Sequence, residues 1–195
     1  AFMVVAGVLV KGSRLVIRDV GLNHTRIGIL NILERMGAVA LSDPEVKGDQ
    51  IAGVEPVGDL DVAATPLVGT EVTAEEVPLA IDELPLVALL GAFAEGETVV
   101  RGAQELRFKE SDRIATVVDG LAGLGADIEA TDDGFVVRGS GGIRGGAISS
   151  HGDHRLAMLG AVAGVASREG VTVDGMEAAA VSFPTFERDL RELAR

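Results

Sequence analysis

Two short clusters hold most of the residues able to do chemistry. The first spans residues 105–113 and contains Glu105, Arg107, Lys109, Glu110, Ser111, Asp112 and Arg113. It looks like a helix start, with Ser111 as cap. Cations beside a helix N-terminus suit an anionic ligand, because free N–H groups and the macrodipole add to their charge. Glu110 in the same cluster could carry a proton. The second cluster, His151-Gly152-Asp153-His154-Arg155, runs straight into an apolar helical stretch, which places Asp153, His154 and Arg155 in a first turn. The local pattern also fits a plainer arrangement, a capped helix with solvated charges around it.

These residues need a frame, and composition bounds it. The chain has 195 residues, 47% of them hydrophobic, enough for one domain with a sizeable core. It has no Cys, Trp or Tyr, which excludes disulfides, thiolate metal sites and a cysteine nucleophile within it. The absence of Cys fits a reducing cytoplasm. A net charge of −13 argues against nucleic acid or an anionic membrane as partner. An anionic substrate would have to be drawn by local cations. The apolar run at residues 1–10 is too short to span a membrane and lacks the basic flank of a signal peptide. It reads as a helix cut from a longer protein.

The elements repeat. An apolar helical run reaches a Gly and passes into a β-branched strand at Gly12, Gly96 and Gly170, spaced 84 and then 74 residues apart. Gly is expected there as a left-handed helix cap. A second helix should follow each strand, starting near Thr25, Ser111 and Phe183, and short alternating strands such as 134–138 come next. Three βαβαββ-like units result, roughly 1–68, 69–140 and 141–195, within one α/β domain. Residues 1–10, 84–94 and 156–166 are apolar nearly all round, so each should be a helix buried on every side.

Lys109-Glu110-Ser111-Asp112-Arg113 followed by Asp153-His154-Arg155 resembles the paired motifs of the 5-enolpyruvylshikimate-3-phosphate synthase family. Two further landmarks resemble that family: Ile81-Asp82-Glu83-Leu84-Pro85 and Ser182-Phe183-Pro184. The resemblance covers essentially the whole chain but only the C-terminal half of a family member. It implies an inside-out α/β prism in which buried parallel helices aim their N-termini at a cleft between two domains, with the partner domain absent from this chain. It also implies a cytoplasmic, monomeric transferase of the shikimate pathway, serving chorismate and aromatic amino acid biosynthesis.

That enzyme moves the enolpyruvyl group of phosphoenolpyruvate to the 5-hydroxyl of shikimate 3-phosphate and needs neither metal nor organic cofactor. By resemblance, Asp82 accepts the hydroxyl proton, Lys109 contacts shikimate 3-phosphate near it, and Glu110 serves the enol methylene. Arg113 and Arg155 match the arginines that grip the phosphoenolpyruvate carboxylate, with His154 in support, positioning Arg155 or bordering the phosphate. Glu105 matches a shikimate 3-phosphate contact. Many members carry a Lys where this chain has Val181, facing the phosphate of phosphoenolpyruvate. The chain thus resembles a bacterial branch that includes glyphosate-tolerant members.

Other readings compete with this one. A sister enolpyruvyl transferase acting on UDP-N-acetylglucosamine shares the fold, although Lys109–Arg113 favours the shikimate enzyme. RNA 3′-phosphate cyclase uses similar units but would want basic grooves. A non-catalytic fragment is the third. Gly139–Gly146 imitates a phosphate loop, yet Arg144 stands where a dinucleotide fingerprint needs Gly and no helix follows directly, so a flexible surface loop is expected. His151, Asp153 and His154 lack the third imidazole or thiolate that a metal site would want.

Overall fold

The computed structural model describes residues 1–38, 40–42 and 56–194. The first part of the chain forms α1 (Phe2–Leu9), β1 (Arg14–Gly21), α2 (Gly28–Arg35), β2 (Ala40–Ser42) and β3 (Val57–Ala63). The second forms β4 (Glu71–Val72), α3 (Val77–Ala80), a 3₁₀ turn (Ile81–Glu83) and α4 (Leu84–Phe93). It continues through β5 (Glu95–Val100), a 3₁₀ turn (Gln104–Phe108), α5 (Arg113–Gly123), β6 (Asp127–Thr131) and β7 (Gly134–Ser140). The third forms β8 (Gly146–Ser149), α6 (His154–Ala166), β9 (Val171–Asp174), a 3₁₀ turn (Met176–Val181) and α7 (Phe186–Leu193).

The apolar helices pack on one another at the centre: α1, α4 and α6 each touch the other two. Every residue of α4 from Leu84 to Ala92 is buried. The amphipathic helices lie outside them. α5 turns Ile114, Val117 and Leu121 inward at helical spacing, and α7 does so with Phe186 and Leu190. Three sheets complete the wrapping. β1-β3-β2 is antiparallel, β4-β5-β7-β6 joins one parallel pair to two antiparallel pairs, and β8-β9 is parallel. Among the described residues no helix is long and apolar enough to cross a membrane.

A device repeated in all three buried helices explains their closeness to the sheets. Each carries a Gly three residues before its cap: Gly7 before Val10, Gly91 before Ala94 and Gly164 before Ser167. There the helix meets the strand that follows it. A Cβ on Gly7 would lie 3.0 Å from Leu15 Cδ1, and one on Gly91 would lie 2.9 Å from Thr98 Cβ. One on Gly164 would lie 3.4 Å from Val171 N. Leu15, Thr98 and Val171 occupy corresponding strands, so the sequence repeat is also a packing repeat.

Three sequence expectations shift in detail. Gly12, Gly96 and Gly170 do adopt positive φ, at 82°, 90° and 78°. They do not cap the helices, which end in extended backbone at Val10, Ala94 and Ser167; the glycines turn the chain into the strands. The stretch around Gly139–Gly146 is not a free surface loop. Ile143 is buried, and Arg144 and Gly145 both donate backbone N–H bonds to Leu124 O. Finally, α5 is capped by Asp112 rather than Ser111: the Asp112 carboxylate accepts the Ala115 N–H at 3.0 Å. Ser111 is engaged elsewhere, in the site.

Candidate active site

The starts of α4, α5 and α6 meet at one end of the molecule, and the two sequence clusters meet with them. Asp82 sits in the 3₁₀ turn that leads into α4, Arg113 is the first residue of α5, and Arg155 is the second of α6. Asp82 lies between the two arginines. Its Oδ1 is 3.2 Å from Arg113 Nη1 and its Oδ2 is 3.1 Å from Arg155 Nη2. Arg155 also donates to the Asp82 carbonyl at 2.9 Å and to Glu83 Oε1 at 3.3 Å.

Arg113 is almost wholly buried, 2% exposed. Such a charge needs a partner, and it has a fully buried one in Asp153. Arg113 Nε and Nη2 donate to the two Asp153 oxygens at 2.7 and 3.2 Å. Ser111 Oγ donates to the same carboxylate at 3.1 Å, and so does the Arg155 backbone N–H at 2.8 Å. Burial pushes the Asp153 carboxyl up, but these donors outweigh it and hold it below the ordinary carboxylate range. Glu83 goes the other way. Its burial outweighs the pull of Arg155, so its carboxyl is raised.

Glu110 stands at the open edge, with its Oε2 2.9 Å from His154 Nδ1 and its Oε1 3.9 Å from Arg113 Nη2. The observed partner of His154 is Glu110, a contact that the expectation for His154, positioning Arg155 or bordering the phosphate, did not include. Lys109 donates to Glu105 at 3.0 Å, an i,i+4 pair in which Glu105 is mostly exposed. Arg107 proves to be a staple: it donates to Asp112 Oδ2 and to the carbonyls of Thr131 and Asp132, fixing the motif to the β6–β7 turn. Val181 is 81% exposed on the turn that packs against α6. Of the seven residues expected at the site, Asp82, Glu110, Arg113, His154 and Arg155 lie in this ionic network, while Lys109 and Glu105 pair with each other. Sequence reasoning missed Asp153 as a member. The signal available was an N-cap Asp directly before His-Arg, and its second role depends on an approach that sequence does not display.

The carboxylates of Glu110 and Asp153 and a ring nitrogen of His154 come within 4.8 Å of one another. That arrangement does not suit a metal ion. Both Asp153 oxygens already accept N–H bonds, and the Arg113 guanidinium occupies the place between them and Glu110. His151, also weighed as a ligand, is exposed. What the geometry does suit is a carboxylate. Two arginines at different helix starts hold one between them already, and a forked guanidinium is well matched to such a group.

The family model for EPSP synthase (3-phosphoshikimate 1-carboxyvinyltransferase) matches residues 1–190. The chain belongs to the EPSP synthase family. It is 46% identical over 194 residues to the 3-phosphoshikimate 1-carboxyvinyltransferase of Desulfitobacterium hafniense (strain Y51), covering all of this chain and 44% of that protein. It is 50% identical over 187 residues to the enzyme of that name from Thermotoga sp. (strain RQ2), covering 95% of this chain and 43% of the relative. The EPSP synthase structure from Acinetobacter baumannii superposes with a TM-score of 0.90 at 40% identity, over 99% of this chain and 44% of that one. The enolpyruvyl transferase NikO from Streptomyces tendae shares the fold, with a TM-score of 0.75 at 24% identity, over 98% of this chain and 41% of that one. The chain thus spans under half the length of the EPSP synthase relatives it matches, and it has the enolpyruvyl transferase architecture that the family resemblance implied.

Proposed function

We propose that this chain is one wall of an active site that joins phosphoenolpyruvate to the 5-hydroxyl of shikimate 3-phosphate and releases phosphate. The observation that carries the reading is the carboxylate held between Arg113 and Arg155, with an acid and a histidine beside it. In the proposed reaction the 5-hydroxyl oxygen bonds to C2 of the enol as C3 takes a proton. The C2–O bond to phosphate then breaks as C3 returns that proton, restoring the double bond. Proton transfers at two atoms need two groups at different positions. Asp82 takes the hydroxyl proton. Glu110, near Arg113 Nη2 where Asp82 is at Nη1, serves C3. Lys109 stands beside shikimate 3-phosphate, with Glu105 at the rim.

The arginines reach the substrate by exchange. Asp82 pairs with both. An incoming carboxylate replaces it there, and the displaced Asp82 becomes free to accept a proton. His154 holds Glu110 toward the reacting carbon through the 2.9 Å contact. The wall is poor in positive charge: among the described residues, Asp82, Glu83, Glu105, Glu110, Asp112 and Asp153 pair with Arg107, Lys109, Arg113 and Arg155 as permanent cations. Two phosphates and a carboxylate need more cations than that. We assign the shortfall to the half of the protein that relatives have and this chain does not span.

The test uses the full-length protein that carries this half. Phosphate release from phosphoenolpyruvate plus shikimate 3-phosphate should be measurable. Glu110→Gln, which keeps shape and removes the exchangeable proton, should lower kcat by about 100-fold or more with little change in KM. Equal, small effects on both parameters would reduce the cluster to a helix start and refute the reading.

A further inference from the structure

We infer that Asp153 is the positioning residue of this site, setting Arg113 and Arg155 together so that their open edges present one carboxylate receptor. The inference rests on the reading that these arginines receive the substrate carboxylate, and it deepens that reading. Asp153 touches no reacting atom in that scheme; it acts through its neighbours.

Four donors converge on its two oxygens. Two come from the inner edge of Arg113, one from Ser111 and one from the backbone of Arg155. The guanidinium has five N–H groups in a rigid plane. Fixing the Nε–Nη2 edge on Asp153 leaves Nη1 aimed at Asp82, the position a substrate carboxylate would take. Because the same carboxylate accepts the N–H of Arg155, it also caps α6 and sets the height of that residue's side chain. One fully buried group therefore registers the first turns of α5 and α6 against each other, 40 residues apart in sequence.

A mere helix cap would not need this arrangement. Asp112 caps α5 with one oxygen and gives the other to Arg107, yet it is partly exposed. Asp153 is 0% exposed and faces an arginine that is 2% exposed. A buried ion pair of this kind is a weak source of stability, because desolvation offsets the attraction. Its retention at the mouth of a carboxylate receptor points to geometry instead.

Asp153→Asn separates the two roles. Asn caps helices as well as Asp does, but its NH2 would face the Arg113 donors and break the fork. In the full-length enzyme we expect KM for phosphoenolpyruvate to rise at least tenfold, with KM for shikimate 3-phosphate within about threefold of wild type. In an Arg113→Lys background, where the fork is already lost, the same substitution should add less than threefold. Ser111→Ala, which keeps the charge pair, should raise KM for phosphoenolpyruvate about two- to threefold and covers the case in which Asp153→Asn fails to fold. The inference is overturned if Asp153→Asn and Ser111→Ala leave phosphoenolpyruvate KM unchanged while Arg113→Lys raises it. It is equally overturned if Asp153→Asn only lowers Tm and the active fraction. An unchanged KM in Arg113→Lys itself would instead remove the carboxylate reading on which the inference stands.

Discussion

Replacing Gly7, Gly91 and Gly164 by Ala, one at a time, should give three different results from one kind of change. In a helix, Ala is favoured over Gly by about 0.5–1 kcal/mol. On local propensity alone all three variants would gain stability. The packing decides otherwise. At Gly91 the new methyl would stand 2.9 Å from Thr98 Cβ and 3.1 Å from Val137 Cβ. Optimal carbon–carbon separation is about 3.5–4.0 Å, and a Cβ cannot swing away from its own backbone. α4 and the β5–β7 pair must therefore move apart, an overpacking cost of about 1–3 kcal/mol. The net expectation is a loss of about 1–2 kcal/mol, or roughly 3–6 °C in Tm for a domain of this size. At Gly164 the nearest atoms lie at 3.4 and 3.5 Å, ordinary contacts, so the propensity gain survives and Tm should rise by about 2 °C. Gly7 falls between them. Its 3.0 Å neighbour is the end of the Leu15 side chain, which can turn aside, so the change should be near zero. Thermal and urea unfolding of the 195-residue chain, followed by circular dichroism, reads all three. A uniform rise across the set would refute the argument that helix–strand contact selects these glycines.

Other outcomes follow from the same structure. Thr98 is fully buried and its hydroxyl has no hydrogen-bond partner among the described residues, so Thr98→Val should stabilise by about 1 kcal/mol; a loss in urea unfolding would point to an unseen partner. Leu89→Asp, at the centre of α4, should cost several kcal/mol by burying an unpaired charge, and near wild-type Tm would count against the buried-helix architecture. Asp153 and Glu83 should show opposite pH behaviour. The lowered Asp153 carboxyl stabilises the fold above the ordinary carboxylate range and loses that contribution as pH falls, so the deficit of Asp153→Asn should narrow from pH 7 to pH 3 in urea titrations. The raised Glu83 carboxyl favours the fold only at low pH, so Glu83→Gln should be more stable than wild type at pH 7 and lose that advantage on acidification. In the full-length enzyme, Val181→Lys should tighten phosphoenolpyruvate binding by about 1 kcal/mol if the exposed side chain faces the ligand, and an unchanged Kd would place it elsewhere.

Much of this protein was legible in its residues. The apolar runs at 84–94 and 156–166 could satisfy their side chains only inside a core, and they became α4 and α6. The repeated Gly-to-strand passages marked the three places where the chain turns back. Lys109–Arg113 and Asp153–Arg155 suggested an anionic site because cations beside helix starts suit anions, although a capped helix with solvated charges fitted the same local pattern. Local chemistry sufficed for these features, since periodicity, turn residues and charge act over a few positions. The pairings within the site were decided by the tertiary structure. Asp82 bridges Arg113 and Arg155, 31 and 73 residues away, and His154 finds Glu110 across 44. Ser111 looked like the cap, yet Asp112 took that place and Ser111 turned to Asp153. An ion pair depends on separations of a few ångströms and on how much water is excluded. Both are fixed only when α4, α5 and α6 pack with their first turns together.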